Sequence, residues 1–205
     1  MERRESVERG GAIGTWRGPE GPDPIERAGA TGRGWVRRYG GHPVCIRVGE
    51  RDEDRRLFVG GRERTSRRLW PGGARPAVDL IVNLSEHPDR HDIWRPADLW
   101  WPRGQGPSGY TSASLLADAL VLAGLLRAGR RVLVHCDYGV NRAPTLCAAT
   151  LMVTEGLTAR QALARVRRRR WMALPDPWHW RALRSIEGSA RASRAEGGAG
   201  DARSA

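Results

Sequence analysis

The stretch VLVHCDYGVNRAPT, residues 132–145, decides the fold of this chain. Val132–Val134 is an apolar run, which is typical of a strand buried inside a sheet. Five residues separate Cys136 from Arg142, and a helix-favouring apolar segment follows the arginine. This order of strand, short loop and helix predicts an anion-binding loop. Backbone N–H groups of such a loop can turn inward, and the helix N-terminus adds a partial positive charge.

Three residues of this loop suit phosphate chemistry. Gly139 gives the backbone the freedom to close the loop, and the planar guanidinium of Arg142 can donate to two phosphate oxygens. The same positive field favours the thiolate of Cys136, which is the reactive form of a cysteine. Because a thiolate beneath a bound phosphate can attack phosphorus, the loop predicts a cysteinyl-phosphate intermediate.

Strands and helices alternate outward from this stretch, which predicts an α/β domain with a largely parallel sheet. The predicted strands are residues 42–48, 57–59, 78–84 and 131–135, with one more ending at Trp100–Trp101. The predicted helices run from Thr111 to Gly129, from about 143 to 155, from Thr158 with Gln161 as its capping box, and from Asp176 with Pro177 in the first turn.

The chain has 205 residues, which is room for one domain with two extensions. Residues 1–41 are rich in Gly, Arg and Pro, and we expect them and the tail 188–205 to be disordered. Residues 42–187 are predicted to form the catalytic domain. The charged N-terminus argues against a signal peptide, and no apolar run is long enough for a membrane span. Three cysteines make no disulfide framework, which favours a reducing compartment and a cytoplasmic location.

The segment His135–Arg142 resembles the His-Cys-x5-Arg signature of cysteine-dependent protein tyrosine and dual-specificity phosphatases, in an atypical version. The resemblance extends over roughly residues 43–187. Residues 56–61 resemble the strand that opens such domains, 82–87 their second core strand, and 174–183 their closing helix. It implies a dual-specificity-phosphatase-like fold, with a central mostly parallel sheet flanked by helices and flexible extensions at both ends.

The resemblance also implies a role for each residue of the signature. Cys136 would be the nucleophile, Arg142 the phosphate clamp, and His135 would support the thiolate. The backbone amides expected to bind phosphate are those of Asp137, Tyr138, Gly139, Val140, Asn141 and Arg142. Neither a cofactor nor a metal ion is expected.

Ala143 departs from the family pattern, because most members have Ser or Thr after the arginine. That hydroxyl stabilises the departing thiolate when the phosphoenzyme is hydrolysed. Arg-Ala-Pro at residues 142–144 resembles the phosphatases of regenerating liver, a slow branch that also has alanine there. We therefore expect slow turnover.

Gln105 is the second departure from the pattern. The family places an aspartate about 30 residues before the cysteine, on a mobile loop, where it protonates the leaving oxygen. In the matching segment, residues 100–107, the aspartate position holds Gln105, which cannot donate a proton as an acid but can position a water. The alternative acids are Asp92, Asp98 and Asp137. Arg103 in the same segment can instead bind a second anionic group of a substrate.

Asp137 places a negative charge inside the predicted anion loop. Because the side chains of such a loop radiate outward while the amides point inward, we expect Asp137 at the rim of the site. There it would pair with an arginine or select against acidic neighbours in a substrate.

The basic residues of the chain are unevenly distributed. The net charge is +12, every basic residue is Arg, and residues 158–184 alone carry +7. A surface of that charge attracts phosphates and other polyanions. The arginines expected to bind a polyanion are Arg165, Arg167, Arg168, Arg169 and Arg170. The competing interpretation is a solvated helix face.

Three functions follow from these features. The favoured one is hydrolysis of phosphomonoesters, on phosphotyrosine, phosphoserine or phosphothreonine of proteins, through the cysteinyl-phosphate. The runner-up is a slow or inactive pseudophosphatase that binds phosphorylated partners, suggested by Gln105 and Ala143. The third places the same chemistry on a polyanion such as a phosphoinositide or an RNA 5′ end.

Overall fold

The computed structural model describes residues 44–46, 48, 57–61, 78–89 and 98–193. The extension predicted at residues 1–41 lies outside these residues, as does Asp92, one of the three alternative acids. The last part of the predicted tail, residues 194–205, lies outside them too.

Within the described residues, the sheet has five strands. Their bounds are β1 Val44–Ile46, β2 Leu57–Gly61, β3 Leu80–Asn83, β4 Leu99–Trp100 and β5 Val132–Cys136. Their order is β1-β2-β5-β3-β4; β1 runs antiparallel to β2, and every other pair is parallel. The predicted mostly parallel sheet is confirmed. β5, the strand that precedes the anion loop, lies at the centre of the sheet.

Four long helices follow the sequence patterns that predicted them. Their bounds are α1 Ser112–Arg127, α2 Arg142–Glu155, α3 Ala159–Arg169 and α4 Pro177–Ser185. The predicted caps at Thr111, Thr158 and Asp176 are confirmed, because each side chain accepts a hydrogen bond from the backbone N–H three residues later. No helix among the described residues has both the length and the apolar composition that crossing a bilayer requires.

The core fixes the junction between β5 and α2. Val132, Val134 and Cys136 face the main apolar cluster, whereas Leu133 packs with Ile81 on the other face of the sheet. All but the last two residues of α2 are buried, and the helix packs against β5, α1 and α3. Because α2 is covered on every side, its N-terminus is held at the carboxyl end of β5.

The predicted start of the C-terminal tail at residue 188 is wrong. Residues 187–193 are helical, and Ala190 is only 1% exposed. The backbone nitrogen of Ala190 donates to the carbonyl of Ile186 over 2.8 Å. Ile186 and Ala190 lie four residues apart and continue the buried face that Ala182 and Leu183 begin in α4. The small residues of this segment hid that helical spacing.

Candidate active site

The candidate nucleophile, Cys136, is the last residue of β5 and is 2% exposed. The loop that follows it, residues 136–142, is called the cradle loop below. The backbone nitrogen of Gly139 donates towards the Cys136 sulfur, at a distance of 3.2 Å. A backbone N–H therefore points into the loop at the sulfur, as the sequence predicts for an anion site.

The cradle loop needs glycine at position 139. Gly139 has a φ of +63°, a conformation that side chains with a Cβ rarely adopt. A Cβ there would also lie 2.5 Å from the carbonyl oxygen of Gly60 on β2 and would collide with the Arg170 guanidinium. Any larger residue would therefore push the loop off the sheet.

Arg142, the first residue of α2, is 2% exposed and is held from three sides. Its Nη1 donates to the carbonyls of Arg103, at 2.7 Å, and Leu84, at 3.3 Å, while its Nη2 lies 2.5 Å from Asp137 Oδ2. Burial alone lowers the pKa of this guanidinium, but the negative charges of Cys136 and Asp137 outweigh burial and raise the pKa. The Arg142 guanidinium is therefore held in place by contacts within the protein.

Asp137 pairs with an arginine, as predicted, but its carboxylate is buried instead of lying at the rim of the site. The carboxylate is 11% exposed and forms an ion pair with Arg142. In a loop this short, the carboxylate lies within reach of the buried Arg142 guanidinium. Pairing two desolvated charges lowers the free energy that each would cost alone.

The loop 101–109, which follows β4, lies against the cradle loop. The Arg103 carbonyl accepts a hydrogen bond from Arg142, and its guanidinium donates to Asp118 of α1 over 2.6 Å. The same guanidinium lies 5.5 Å from the centre of the Tyr110 ring. Because it is paired with Asp118, Arg103 anchors the loop to α1. Gln105, on the same loop, is exposed.

The sequence from residue 78 to residue 189 matches the family model "Dual specificity phosphatase, catalytic domain". The chain belongs to the dual specificity phosphatase family. Dual specificity phosphatase 28 of Homo sapiens is 32% identical over 114 residues, which are 56% of this chain and 65% of that protein. Dual specificity protein phosphatase 1 of Arabidopsis thaliana is 40% identical over 67 residues, which are 33% of this chain and 34% of that protein.

Solved structures agree with the family model. The crystal structure of human DUSP28 has 27% sequence identity and a TM-score of 0.56, and the match covers 72% of this chain and 93% of that chain. The chain spans less than two thirds of the length of the two curated relatives named above. The predicted family and dual-specificity-phosphatase-like fold are confirmed.

Arg170 is the largest correction to the predicted polyanion-binding surface. It is 3% exposed, and its Nε and Nη2 donate to the cradle-loop carbonyls of Gly139, at 2.5 Å, and Tyr138, at 3.0 Å. Burial lowers the pKa of this guanidinium to about 10, although the nearby Cys136 and Cys147 act in the opposite direction. With its carbonyls bound from outside, the cradle loop keeps its N–H groups facing inward.

The helical spacing of α3 could have revealed this role of Arg170. Ala159, Leu163 and Val166 form the buried face of α3, and Arg170 lies four residues after Val166 on the same face. Arg165 is also engaged, because it forms an ion pair with Glu155. Two of the five arginines predicted to bind a polyanion therefore serve the fold.

His135 is held by a carboxylate that sequence reasoning missed. Its Nε2 lies 2.8 Å from Asp89 Oδ2, and the two side chains are 0% and 1% exposed. The pair spans 46 residues of sequence. Asp89 follows β3 in a segment without helical or strand periodicity, so no sequence pattern marked it. The pair fixes the orientation of the imidazole directly before the nucleophile.

Asp176, predicted only as the N-cap of α4, also links the two loops of the site. Its carboxylate accepts hydrogen bonds from Asn141 Nδ2 at 2.8 Å, from the Gly106 backbone nitrogen at 3.1 Å and from the His179 backbone nitrogen at 2.8 Å. Burial alone raises its pKa, but the hydrogen bonds and charge of His179 and the bond from Asn141 leave the pKa well below its usual range. Asp176 therefore stays ionised and acts as an acceptor.

The two alternative acids that the structure describes, Asp98 and Asp137, both accept hydrogen bonds from other groups. Asp98 precedes β4, and its Oδ1 accepts from the backbone nitrogen of Ile81 over 2.8 Å. Asp98 therefore lies beside the middle of the sheet and away from the end of β5. Asp137 is paired with Arg142.

Cys147 and Ala143 lie in the buried part of α2. Both are 0% exposed. Burial, reinforced by the charge of Cys136, raises the pKa of the Cys147 thiol well above its usual range. Cys147 is therefore a core thiol. At position 143 no hydroxyl is available to the cradle loop.

Proposed function

We propose that this chain is a phosphatase that hydrolyses phosphomonoesters, with phosphotyrosine, phosphoserine and phosphothreonine side chains of proteins as its substrates. One observation carries the proposal: the Cys136 sulfur lies 3.2 Å from an inward backbone N–H of the cradle loop. Arg142 closes that loop as a buried cation. Membership of the dual specificity phosphatase family supports the same chemistry. The cysteine content supports a reducing, cytoplasmic setting.

The reaction proceeds in two displacements at phosphorus. The Cys136 thiolate attacks phosphorus, the S–P bond forms, and the P–O ester bond breaks as the leaving oxygen takes the electron pair and a proton from solvent. Water then attacks the cysteinyl-phosphate, its proton goes to solvent, and the S–P bond breaks to release phosphate and the thiolate. The amides of residues 137–142 and the Arg142 guanidinium stabilise the charge on the phosphoryl oxygens in both steps.

The residues at positions 105 and 143 make both displacements slower. Gln105 does not protonate the leaving oxygen, and losing a general acid typically costs about 10²- to 10⁴-fold in rate. Ala143 offers no hydroxyl to the thiolate that departs in the second step. The enzyme should therefore favour substrates whose leaving group needs little protonation.

A rapid-quench measurement with nitrophenyl phosphate tests the proposal. We expect the wild type to release a burst of nitrophenol equal to the enzyme concentration, followed by steady turnover. Cys136→Ser should show no burst, and Gln105→Asp should turn over faster on substrates with poor leaving groups. Turnover that survives Cys136→Ser would exclude the proposed mechanism.

The second candidate is a pseudophosphatase that binds phosphorylated partners, favoured by Gln105 and Ala143. It predicts tight phosphopeptide binding with no burst in the wild type. The third candidate, a polyanion substrate, now depends on the exposed arginines Arg168 and Arg169 of α3. It predicts binding that falls steeply with salt concentration.

A further inference from the structure

The proposed reaction gives no role to Asp137, whose negative charge lies in the middle of the candidate phosphate site. Asp137 follows the nucleophile directly, and its Oδ2 lies 2.5 Å from Arg142 Nη2. The two side chains are 11% and 2% exposed, so little water screens the pair. A phosphate that enters the cradle loop therefore meets an Arg142 guanidinium that is already paired with the Asp137 carboxylate.

The hydrogen-bond donors of Arg142 show how a phosphate and Asp137 are both accommodated. Nη1 donates to two backbone carbonyls, of Arg103 and Leu84, and Nη2 donates once to Asp137. Within the described residues, the Nε–H and the second Nη2 N–H make no hydrogen bond. Arg142 therefore keeps one donor on Nε and one on Nη2 for the oxygens of a phosphate. Asp137 therefore need not leave when phosphate binds, and its charge stays beside the ligand.

The other charges around this carboxylate do not cancel it. Glu86, on the turn after β3, adds negative charge near Arg142. Arg170 directs its guanidinium to the loop carbonyls from outside. Arg142 is thus the cation in contact with Asp137, and an incoming phosphate has to share it with that carboxylate.

We propose that Asp137 is a specificity-determining residue that weakens the binding of oxyanions in proportion to their charge. This inference rests on the proposed function, because it concerns the same phosphate site. Coulomb repulsion from one fixed carboxylate acts twice as strongly on a dianion as on a monoanion at the same place. The site therefore releases the phosphate product readily and disfavours substrates with a second negative group beside the phosphate.

Two tetrahedral oxyanions of nearly equal size but different charge test the proposal. Tungstate is a dianion and perrhenate a monoanion at about pH 8, and calorimetry on the full chain measures the affinity for each without any turnover. We expect Asp137→Asn, which keeps an acceptor for Arg142, to bind tungstate about tenfold or more tightly than the wild type does. The gain for perrhenate should be about the square root of the gain for tungstate.

Asp79→Asn is the matched control, because it removes the same charge at the start of β3, where Asp79 pairs with Arg131 on the surface. It should change neither affinity. Asp137→Ser is a second variant that removes the charge with a smaller side chain, and it should shift both affinities in the same direction as Asp137→Asn. Circular dichroism and thermal unfolding establish that each variant folds.

Equal or weaker tungstate binding by both Asp137 variants overturns the proposal, and so does an equal gain for the two anions. Absence of tungstate binding in the variants as well as in the wild type also overturns it. These outcomes are separate from a failure of the proposed function, which appears as a missing burst in the wild type while tungstate still binds.

Discussion

Individual buried charged side chains hold this site in place, and Arg170 is the clearest example. It lies directly after α3 and binds two carbonyls of the cradle loop, whereas the sequence predicted that it would bind a polyanion. Loops with inward N–H groups turn their carbonyls outward, so they need donors on the outside. Arg170 is such a donor. Its removal would leave buried carbonyl groups without this hydrogen-bond donor.

We expect Arg170→Met to lower the free energy of unfolding by about 2–4 kcal/mol and to reduce kcat. Urea denaturation and steady-state kinetics measure the two effects. Arg168→Met is the control, because Arg168 belongs to the same arginine run but is exposed. It should change the free energy of unfolding by less than about 0.5 kcal/mol. Equal effects of the two substitutions would contradict the role assigned to Arg170.

A substitution at Gly139 tests the close approach between the cradle loop and β2. Because the Cβ of Gly139→Ala would meet the Gly60 carbonyl at a positive φ, we expect a loss of about 1–3 kcal/mol in stability. Oxyanion binding should weaken at the same time, because the N–H of residue 139 moves away from the sulfur. Gly124→Ala, on an open face of α1, is the control and should be neutral or stabilising. Unchanged tungstate affinity in Gly139→Ala would contradict this account.

At the scale of elements, α4 contributes its N-terminus to the site. Asp176 caps the helix and joins the cradle loop to the loop 101–109. Because its folded-state pKa lies below the unfolded value of about 3.9, its charge stabilises the fold above that pH. The contribution is lost as the pH falls below about 4 and through the folded-state pKa.

Asp176→Asn tests this contribution, because asparagine is an equally good N-cap without the charge. At pH 7 we expect the variant to be less stable than the wild type by about 1–3 kcal/mol. The difference should shrink as the pH falls below about 4, as followed by urea denaturation at a series of pH values. A difference that stays constant down to pH 2 would show that the charge of Asp176 plays no part.

Some of these structural features can be predicted from the sequence, and others cannot. The caps at Thr111 and Thr158 depend on residues three positions apart, and the pattern alone placed both correctly. The pair between Asp89 and His135 depends on two chain segments that meet only in the folded sheet. Local chemistry therefore predicted the helices and the signature loop. The groups that brace the loop required the tertiary contacts.

At the scale of the whole molecule, the domain extends past the boundary that composition predicts. The helical residues 187–193 contribute the buried Ala190, and Glu187 accepts a hydrogen bond from the backbone nitrogen of Ala159 at the start of α3. Composition describes the average of a segment, so it could not reveal that one position within residues 187–193, Ala190, is buried. The family resemblance pointed to Cys136 and Arg142 as candidate site residues, but it carried no information on the position of the Asp137 carboxylate.

A pair of truncated chains tests the boundary. A chain that ends at residue 187 should be about 1–2 kcal/mol less stable than a chain that ends at residue 193, because it loses the burial of Ala190 and a helical turn. Thermal unfolding of the two chains measures the difference. Identical melting temperatures would mean that residues 188–193 add nothing to the fold.

Two hydrogen bonds connect the loop 101–109 to its neighbours, and they have a kinetic consequence. The carbonyl of Arg103 accepts from Arg142, and the amide of Gly106 donates to the carboxylate that also holds Asn141. Any outward motion of this loop would remove one acceptor from the buried Arg142 guanidinium, so motion of the loop and of the guanidinium should be coupled. In relaxation-dispersion NMR, the backbone amide of Arg103 and the Nε of Arg142 should then share one exchange rate.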